Sequence, residues 1–268
     1  MGNNENTFYV NLYSDDYSLT SNEKVFNINF PTHSESSIKE AVFYYICNGI
    51  SRNNVAIHNF TPPGWWLAGD ISAVNCIAAY QPKGAADYAA SLSNLANPGT
   101  YDATEGGTPD WDAVNGWKFN GTDDYLITTI TLADGWTIIF RFSNKVGTAG
   151  TLGGSYNYTG SAGGMLIFPH NSSSKVSYYS PANFQVAPYL DSGVLALAGN
   201  KAYRNGSYDG TGSGALPAQN NNFWMGANFK SGEEDVNNIE AYMQAVAVYN
   251  ITITASQISA LTTAMNAL

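Results

Sequence analysis

Charge is scarce in this chain: Asp, Glu, Lys and Arg make up only 12% of its 268 residues, and acidic groups outnumber basic ones by 21 to 11. Long amphipathic helices draw on Glu, Lys and Arg for their solvent faces, so a helical bundle is excluded. The formal charge of -10 would repel a phosphate backbone, because non-specific nucleic-acid binding depends on cations releasing counterions. Nucleic acid is not an expected partner. Long apolar runs are also lacking; Ala41-Val42-Phe43-Tyr44-Tyr45-Ile46 is the longest clear one, far from the ~20 residues that span a bilayer, and no membrane insertion is expected. Cysteine is limited to Cys47 and Cys76, whose 28 intervening residues match no zinc spacing, so two buried free thiols are expected. Closing that loop, if they did pair, would contribute roughly 3–4 kcal/mol in the chain-entropy model. Met1 to Asn6 lack the basic start and apolar core of a secretory signal. The expectation is a trimmed signal or export by another route such as release of virus particles by lysis, and the intact Met1 favours the latter.

Catalytic signatures are missing as well. There is no G-x-S-x-G elbow, no GK[ST] phosphate loop and no H-E-x-x-H, and His33, His58 and His170 stand far apart in different local settings. What the chain does have is Gly, Asn, Ser, Thr and Tyr in quantity, a mixture suited to strands joined by tight turns. Phe8, Val10 and Leu12, then Phe26, Ile28 and Phe30, alternate as strand faces, and Asn54 to Phe60 alternates again. Ser37 to Ile46 reads two ways, because Ser37 with Glu40 forms a capping-box signal while Val42 to Ile46 is rich in strand formers. Thr61-Pro62-Pro63-Gly64 breaks the pattern. Residues 1–70 are therefore expected to be a small β-rich docking or anchor segment, and residues 71–268 a second domain.

Beyond Ile71 apolar runs recur between turn signals: Trp136 to Phe142, Gly164 to Phe168, Val194 to Ala198 and Ala241 to Tyr249. Many strands at this spacing predict an all-β sandwich. Only Ser256 to Leu268 has helical spacing, with Ile258, Leu261, Met265 and Leu268 on one stripe behind a Thr254 or Ser256 cap.

Five segments in order resemble the laminin G-like, concanavalin A-like superfamily: Ala79-Tyr80-Gln81-Pro82-Lys83-Gly84; Phe119 to Leu126, similar to "F-x-G-x-x-D-Y-[VIL]"; Ala202-Tyr203-Arg204-Asn205-Gly206; Phe223-Trp224-Met225-Gly226-Ala227-Asn228; and Glu240 to Asn250 followed by Ser256-Gln257-Ile258-Ser259-Ala260-Leu261. The resemblance covers about 190 residues and does not reach residues 1–70. It implies a two-sheet antiparallel jelly roll with a short C-terminal helix. In style the Ala79 to Tyr125 stretch also resembles modules encoded by bacteriophages. Asn205-Gly206 has a local reason of its own, since that pair supplies the positive φ angles of a two-residue hairpin turn.

Relatives on this superfold include glucanases with an "E-x-D-x-x-E" strand, where two carboxyls about 5 Å apart serve as nucleophile and acid. Here Glu233-Glu234-Asp235-Val236-Asn237-Asn238 puts an amide where the acid would stand, in what reads as a solvated loop, and an amide cannot protonate a leaving oxygen. The protein is not expected to be an enzyme. No cofactor is required, but structural calcium is weighed because relatives hold it through loop oxygens; Asp110, Asp112, Asp123 and Asp124 are the ligands it would use, against a plain turn-shaping role for Asp123 and Asp124. The 18 Tyr, 12 Phe and 6 Trp suit sugar binding, since pyranose C–H faces stack on rings. Tyr156, Tyr158, Tyr178, Tyr179 and Tyr208 lie in polar, turn-rich surroundings and are the expected ligand-binding residues, whereas Trp111, Trp117 and Trp136 belong to the core.

The expectation for function is a virion or surface-assembly protein, of capsid-decoration or tail-fibre type. Residues 1–70 would join other subunits in a homo-oligomer, and the sandwich would meet a cell-surface glycan or receptor. A secreted carbohydrate-binding or adhesion module is the alternative, and a divergent glycosidase the third.

Overall fold

A computed structural model describes residues 64–157, 163–230, 233–235 and 237–268. The strand runs expected before residue 64, and Cys47 with them, lie outside the described residues. In chain order the elements are β1 (Cys76–Tyr80), α1 (Tyr88–Leu92), β2 (Thr104–Glu105), β3 (Asp110–Asp112), β4 (Gly116–Asn120), β5 (Leu126–Ile127), β6 (Thr137–Val146), β7 (Gly153–Asn157), β8 (Gly163–Phe168) and β9 (Val176–Tyr179). They continue with β10 (Asn183–Val186), β11 (Gly193–Ala198), β12 (Lys201–Arg204), β13 (Ser207–Thr211), β14 (Trp224–Met225), β15 (Asn228–Lys230), β16 (Glu233–Asp235), β17 (Glu240–Tyr249) and α2 (Ala255–Asn266).

The strands build an antiparallel sandwich, as expected. One sheet has eight strands in the order β13-β12-β11-β6-β17-β4-β3, with β1 also paired to β17; the other has seven, β10-β9-β8-β7-β14-β5-β2. The long strand β17 is central. One edge pairs with β6, matching Thr137 to Tyr249 and Phe142 to Met243. The other edge is divided, with β4 meeting its first half (Trp117 opposite Met243) and β1 its second (Tyr80 opposite Val246).

Successive side chains on a strand point to opposite faces, so every inward residue fixes the face of its neighbours. Ile138, Phe140 and Phe142 of β6 face the other sheet, with Leu195 and Leu197 of β11, Met165 and Ile167 of β8, and Trp117 and Phe119 of β4. Each such side chain, fully buried, contributes about 1.5–3 kcal/mol. Trp111 and Trp136, half-buried, pack against this core.

Runs such as Val194 to Ala198 are apolar at every position because the eight-stranded sheet is covered on its outer face too. Ile139, Val194, Ala196, Ala247 and Tyr249 meet Ile258, Leu261 and Met265 of α2 there, with Trp65, Trp66 and Leu67 packed alongside. The Tyr249 hydroxyl donates to the Trp66 carbonyl at 2.8 Å. The sandwich's packing thus includes residues 65–67, ahead of the expected boundary at Ile71. Helix α2 starts in a capping box: Thr254 Oγ1 accepts from the Gln257 amide at 3.3 Å and Gln257 Oε1 accepts from the Thr254 amide at 2.9 Å. It ends on Arg141, whose Nη1 donates to the carbonyls of Met265 at 2.6 Å and Leu268 at 3.3 Å. The β12–β13 hairpin turns on Asn205 (φ 48°) and Gly206 (φ 83°), the two positive φ angles expected of that pair.

Candidate functional site

The outer face of the seven-stranded sheet collects aromatic side chains by strand phase. Tyr178 and Ile167 point into the core, so Tyr179 on β9 and Phe168 and Leu166 on β8 point out. Met225 and Leu126 point in, so Trp224 and Tyr125 point out. On β7, Tyr156 lies opposite Gly164, and a Cβ on that glycine would fall 2.6 Å from the Tyr156 ring. The absence of a side chain at 164 is what lets the ring lie down on β8.

Two aromatic groups result. Tyr179 stands edge-on to Tyr156 at 5.9 Å between centroids and tilted against Phe168 at 5.6 Å. All three rings are half-buried, leaving part of each to solvent. Tyr125 stacks on Trp224 at 4.4 Å with planes 10° apart, and both are nearly covered. Leu166, paired with Tyr179 on one side and Gly154 on the other, lies between the groups as a buried floor. The polar groups beside Tyr179 are amides and hydroxyls: Asn183 Nδ2 donates to the Tyr179 hydroxyl at 3.2 Å, and Asn171 Nδ2 donates to Ser177 Oγ at 2.8 Å. Burial, and next the neighbouring Tyr156, raise the pKa of Tyr179, so its hydroxyl stays protonated at neutral pH.

Of the tyrosines expected to bind ligand, the fold brings Tyr156 and Tyr179 together. Tyr178, their neighbour in sequence, is 0% exposed between the sheets and offers no face to a ligand. Tyr208, 61% exposed, stands on β13 at the edge of the other sheet, edge-on to Tyr203. Tyr158 lies outside the described residues. Phe168, Tyr125 and Trp224 were not anticipated, although alternation along Gly163 to Phe168 places Phe168 and Leu166 on one face once either is known to point outward.

Of the aspartates weighed for calcium, Asp110 and Asp123 lie near enough to Asp124 to raise its pKa, and each carboxylate has a protein partner. Asp110 faces Lys118 across the β3–β4 pair at 3.9 Å, in solvent. Asp112 Oδ1 takes the Val114 amide at 2.9 Å and the Asn115 amide at 2.7 Å, closing the β3–β4 turn, and these bonds lower its pKa with the Asn115 side chain foremost. Asp123 Oδ1 accepts from Asn120 Nδ2 at 2.7 Å. Asp124 is buried, with Oδ1 on the Thr108 amide at 3.3 Å and Oδ2 on the Asn120 amide at 3.0 Å; burial raises its pKa and those two amides lower it in part. Among the described residues no three Asp, Glu, His or Cys side chains are grouped as metal ligands. The bonds of Asp112, Asp123 and Asp124 are those of turns. Cys76 is a buried free thiol, raised by burial to about 12.

Glu233 to Asp235, expected in a solvated loop, form β16, which pairs with β15 so that Lys230 faces Glu233 and Asn228 faces Asp235. Strand β15 runs near β7. Asn238, at the place of the absent acid, donates its Nδ2 to the Thr122 carbonyl.

The sandwich has counterparts among solved structures. Trypanosoma rangeli sialidase in complex with 2,3-difluorosialic acid is similar with a TM-score of 0.53 at 14% identity, over 86% of this chain and 39% of that one. A mutant of the same sialidase displaying trans-sialidase activity matches with a TM-score of 0.52 at 14% identity, over 73% and 34%. Domain 4 of AbnA, a GH43 extracellular arabinanase from Geobacillus stearothermophilus, in complex with arabinotriose, matches with a TM-score of 0.50 at 15% identity, over 70% of this chain and 98% of the domain. The match thus spans little more than a third of the sialidase chains but nearly all of the arabinanase domain. At these identities the likeness is one of fold: a lectin- and glucanase-like β-sandwich. No protein-family model matches the chain, and no curated protein does.

Proposed function

We propose that this protein binds carbohydrate without turning it over, through the outer face of its seven-stranded sheet. The observation that carries the reading is the half-buried cluster of Tyr156, Tyr179 and Phe168 edged by the amide of Asn183. Rings exposed on one side stack against sugar C–H faces while amides and hydroxyls pair with sugar hydroxyls. The arabinanase domain that shares the fold is described in complex with arabinotriose, which supports the same ligand class here. The test is isothermal titration of full-length protein against oligosaccharides that it retains from a glycan array. Tyr179→Ala is expected to weaken binding by at least about tenfold, and Tyr208→Ala to leave it unchanged. Equal loss from both, or from neither, would remove this face as the site.

The module is proposed to serve in a virion or extracellular surface assembly, with residues 1–70 as its attachment to neighbouring subunits. Alternating apolar residues in that segment need burial, and a few short strands make a meagre core of their own. Light scattering and co-sedimentation of full-length protein with its source particle test this; a protein that stays monomeric and free of particles is the secreted module instead. The glycosidase reading has one observation in its favour, the fold shared with sialidase and arabinanase structures. If it held, Glu233→Gln or Asp235→Asn would abolish hydrolysis of a laminarin-type or lichenan-type glucan; no hydrolysis is expected from the parent protein.

A further inference from the structure

We infer that this face takes one sugar ring at a time from a soluble glycan, not the flat surface of a packed polysaccharide, and that Gln185 is a further residue that contacts the ligand. The inference rests on the carbohydrate reading above and adds to it the class of glycan and a second amide. A flat polysaccharide surface is met by rings lying side by side in one plane, so that several sugars stack on them together. The rings here are steeply inclined: Tyr156 stands at 82° to Tyr179, and Phe168 at 52° to it. Tyr125 and Trp224 are within 10° of parallel, but at 4.4 Å they lie face to face, each covering the other. None of these three pairs offers a shared plane. The open part of Tyr179 is left as a surface for a single sugar ring, with Tyr156 and Phe168 as its walls.

Strand phase brings Gln185 to the same face. Phe184 packs against the core and stacks on Tyr178 at 5.3 Å, so its neighbours Asn183 and Gln185 on β10 point outward. Strand β10 pairs with β9 so that Asn183 lies opposite Tyr179 and Gln185 opposite Ser177, and Phe168 of β8 lies opposite Ser177 from the other side. Gln185 is therefore the diagonal neighbour of Tyr179, about 7–8 Å away across the strands and within reach of a long side chain. It is exposed, and among the described residues its amide has no hydrogen-bond partner. The other amides nearby are engaged: Asn171 donates Nδ2 to Ser177 and takes the Ser173 and Lys175 amides on Oδ1, and Asn183 donates to Tyr179. Gln185 thus brings donors and an acceptor to the rim of the Tyr179 ring, the set that pairs with adjacent hydroxyls of a sugar. Because β10 is the edge of its sheet, the aromatic surface ends there and does not continue past the two amides.

The test takes full-length protein, an array of soluble glycans, and suspensions of cellulose and chitin. Soluble glycans are expected to be retained, while neither powder depletes the protein from solution. A disaccharide bearing the recognised sugar should compete within about threefold of the whole glycan, since one ring makes the contacts. Gln185→Ala is expected to weaken binding by about threefold to tenfold at unchanged Tm, the loss of a hydrogen bond from an exposed side chain. Depletion by either powder as strong as retention of the soluble glycans would overturn the inference and leave the carbohydrate reading standing. Affinity that keeps climbing with each added sugar would do the same, as would a Gln185→Ala protein that binds like its parent. Retention of no glycan, soluble or insoluble, would remove the carbohydrate reading and the inference with it.

Discussion

Tyr178 donates its hydroxyl to Asp209 Oδ2 at 2.8 Å, across the gap between the two sheets. The same oxygen takes two donors from Arg204, so one carboxylate ties β9 of one sheet to the β12–β13 hairpin of the other. Both ion-pair partners are largely buried, at 14% and 12% side-chain exposure. Asp209→Ala would leave the guanidinium and the phenol without their acceptor in low dielectric, where breaking a buried pair costs about 3 kcal/mol. Urea unfolding should show that loss, with Tyr178→Phe costing only about 1 kcal/mol.

Alkaline pH should weaken the fold early. Burial lifts Cys76 from 9.0 to about 12, and it lifts the phenols of Tyr80, Tyr178 and Tyr249 above their ordinary value of 10.0. The native state therefore holds these protons where the unfolded chain has released them. Stability from this source is complete below pH 9 and drains away as pH climbs toward 12. Denaturant midpoints taken stepwise from neutral pH upward should fall from about pH 9 onward, with the share of tyrosinate absorbance due to Tyr80, Tyr178 and Tyr249 appearing only on unfolding. Ionisation of Tyr80, Tyr178 and Tyr249 at the ordinary value of 10.0 while the fold persists would contradict this.

Gly206→Val tests the hairpin. The turn needs φ 83° at this residue, which a β-branched side chain resists, and a Cβ there would sit 3.4 Å from both Ser259 Cα and Thr262 Cβ of α2. A loss of about 1–3 kcal/mol is expected, visible as a lower Tm. An unchanged Tm would mean that the turn tolerates a different backbone path.

Arg141→Met keeps much of the apolar stem but removes the donors that close α2. Loss of a cation and two hydrogen bonds from a helix C-terminus should cost about 1–2 kcal/mol. Hydrogen exchange should quicken in the last turn of α2 and leave β6 protected.

Local signals carried much of the fold. The runs that became β6, β8, β11 and β17 were legible because strand formers cluster between turn residues, and Asn205-Gly206 and the Thr254 cap each act within a few residues. The short helix α1 was not, since its five residues have no periodicity to read; Asp87 caps it through the Ala90 amide at 2.7 Å, and Ser91 receives the Trp117 indole at 2.8 Å. The site was half legible. Tyr178 and Tyr179 have the same polar, turn-rich neighbourhood in sequence, and only the phase of β9 sends one ring inward and the other out. Phase is set by what lies across the sheet, often a hundred residues away. The Asp123-Asp124 pair likewise reads as a cation loop or as a turn until the Asn120 and Thr108 amides are seen to occupy Asp124.

The central place of β17 governs the order in which this protein can be made. Strand β6 leaves the ribosome about a hundred residues before the partner that must lie against it, and β4 and β1 wait on the same strand. Until β17 emerges, the inner faces of the eight-stranded sheet have no spine, and their Ile and Phe side chains are open to other nascent chains. Folding should therefore be post-translational and concentration-sensitive. A chain stalled before Glu240 is expected to be captured by holding chaperones rather than to fold in part, so expression at low temperature and slow synthesis should raise the yield more than any stabilising substitution in α2.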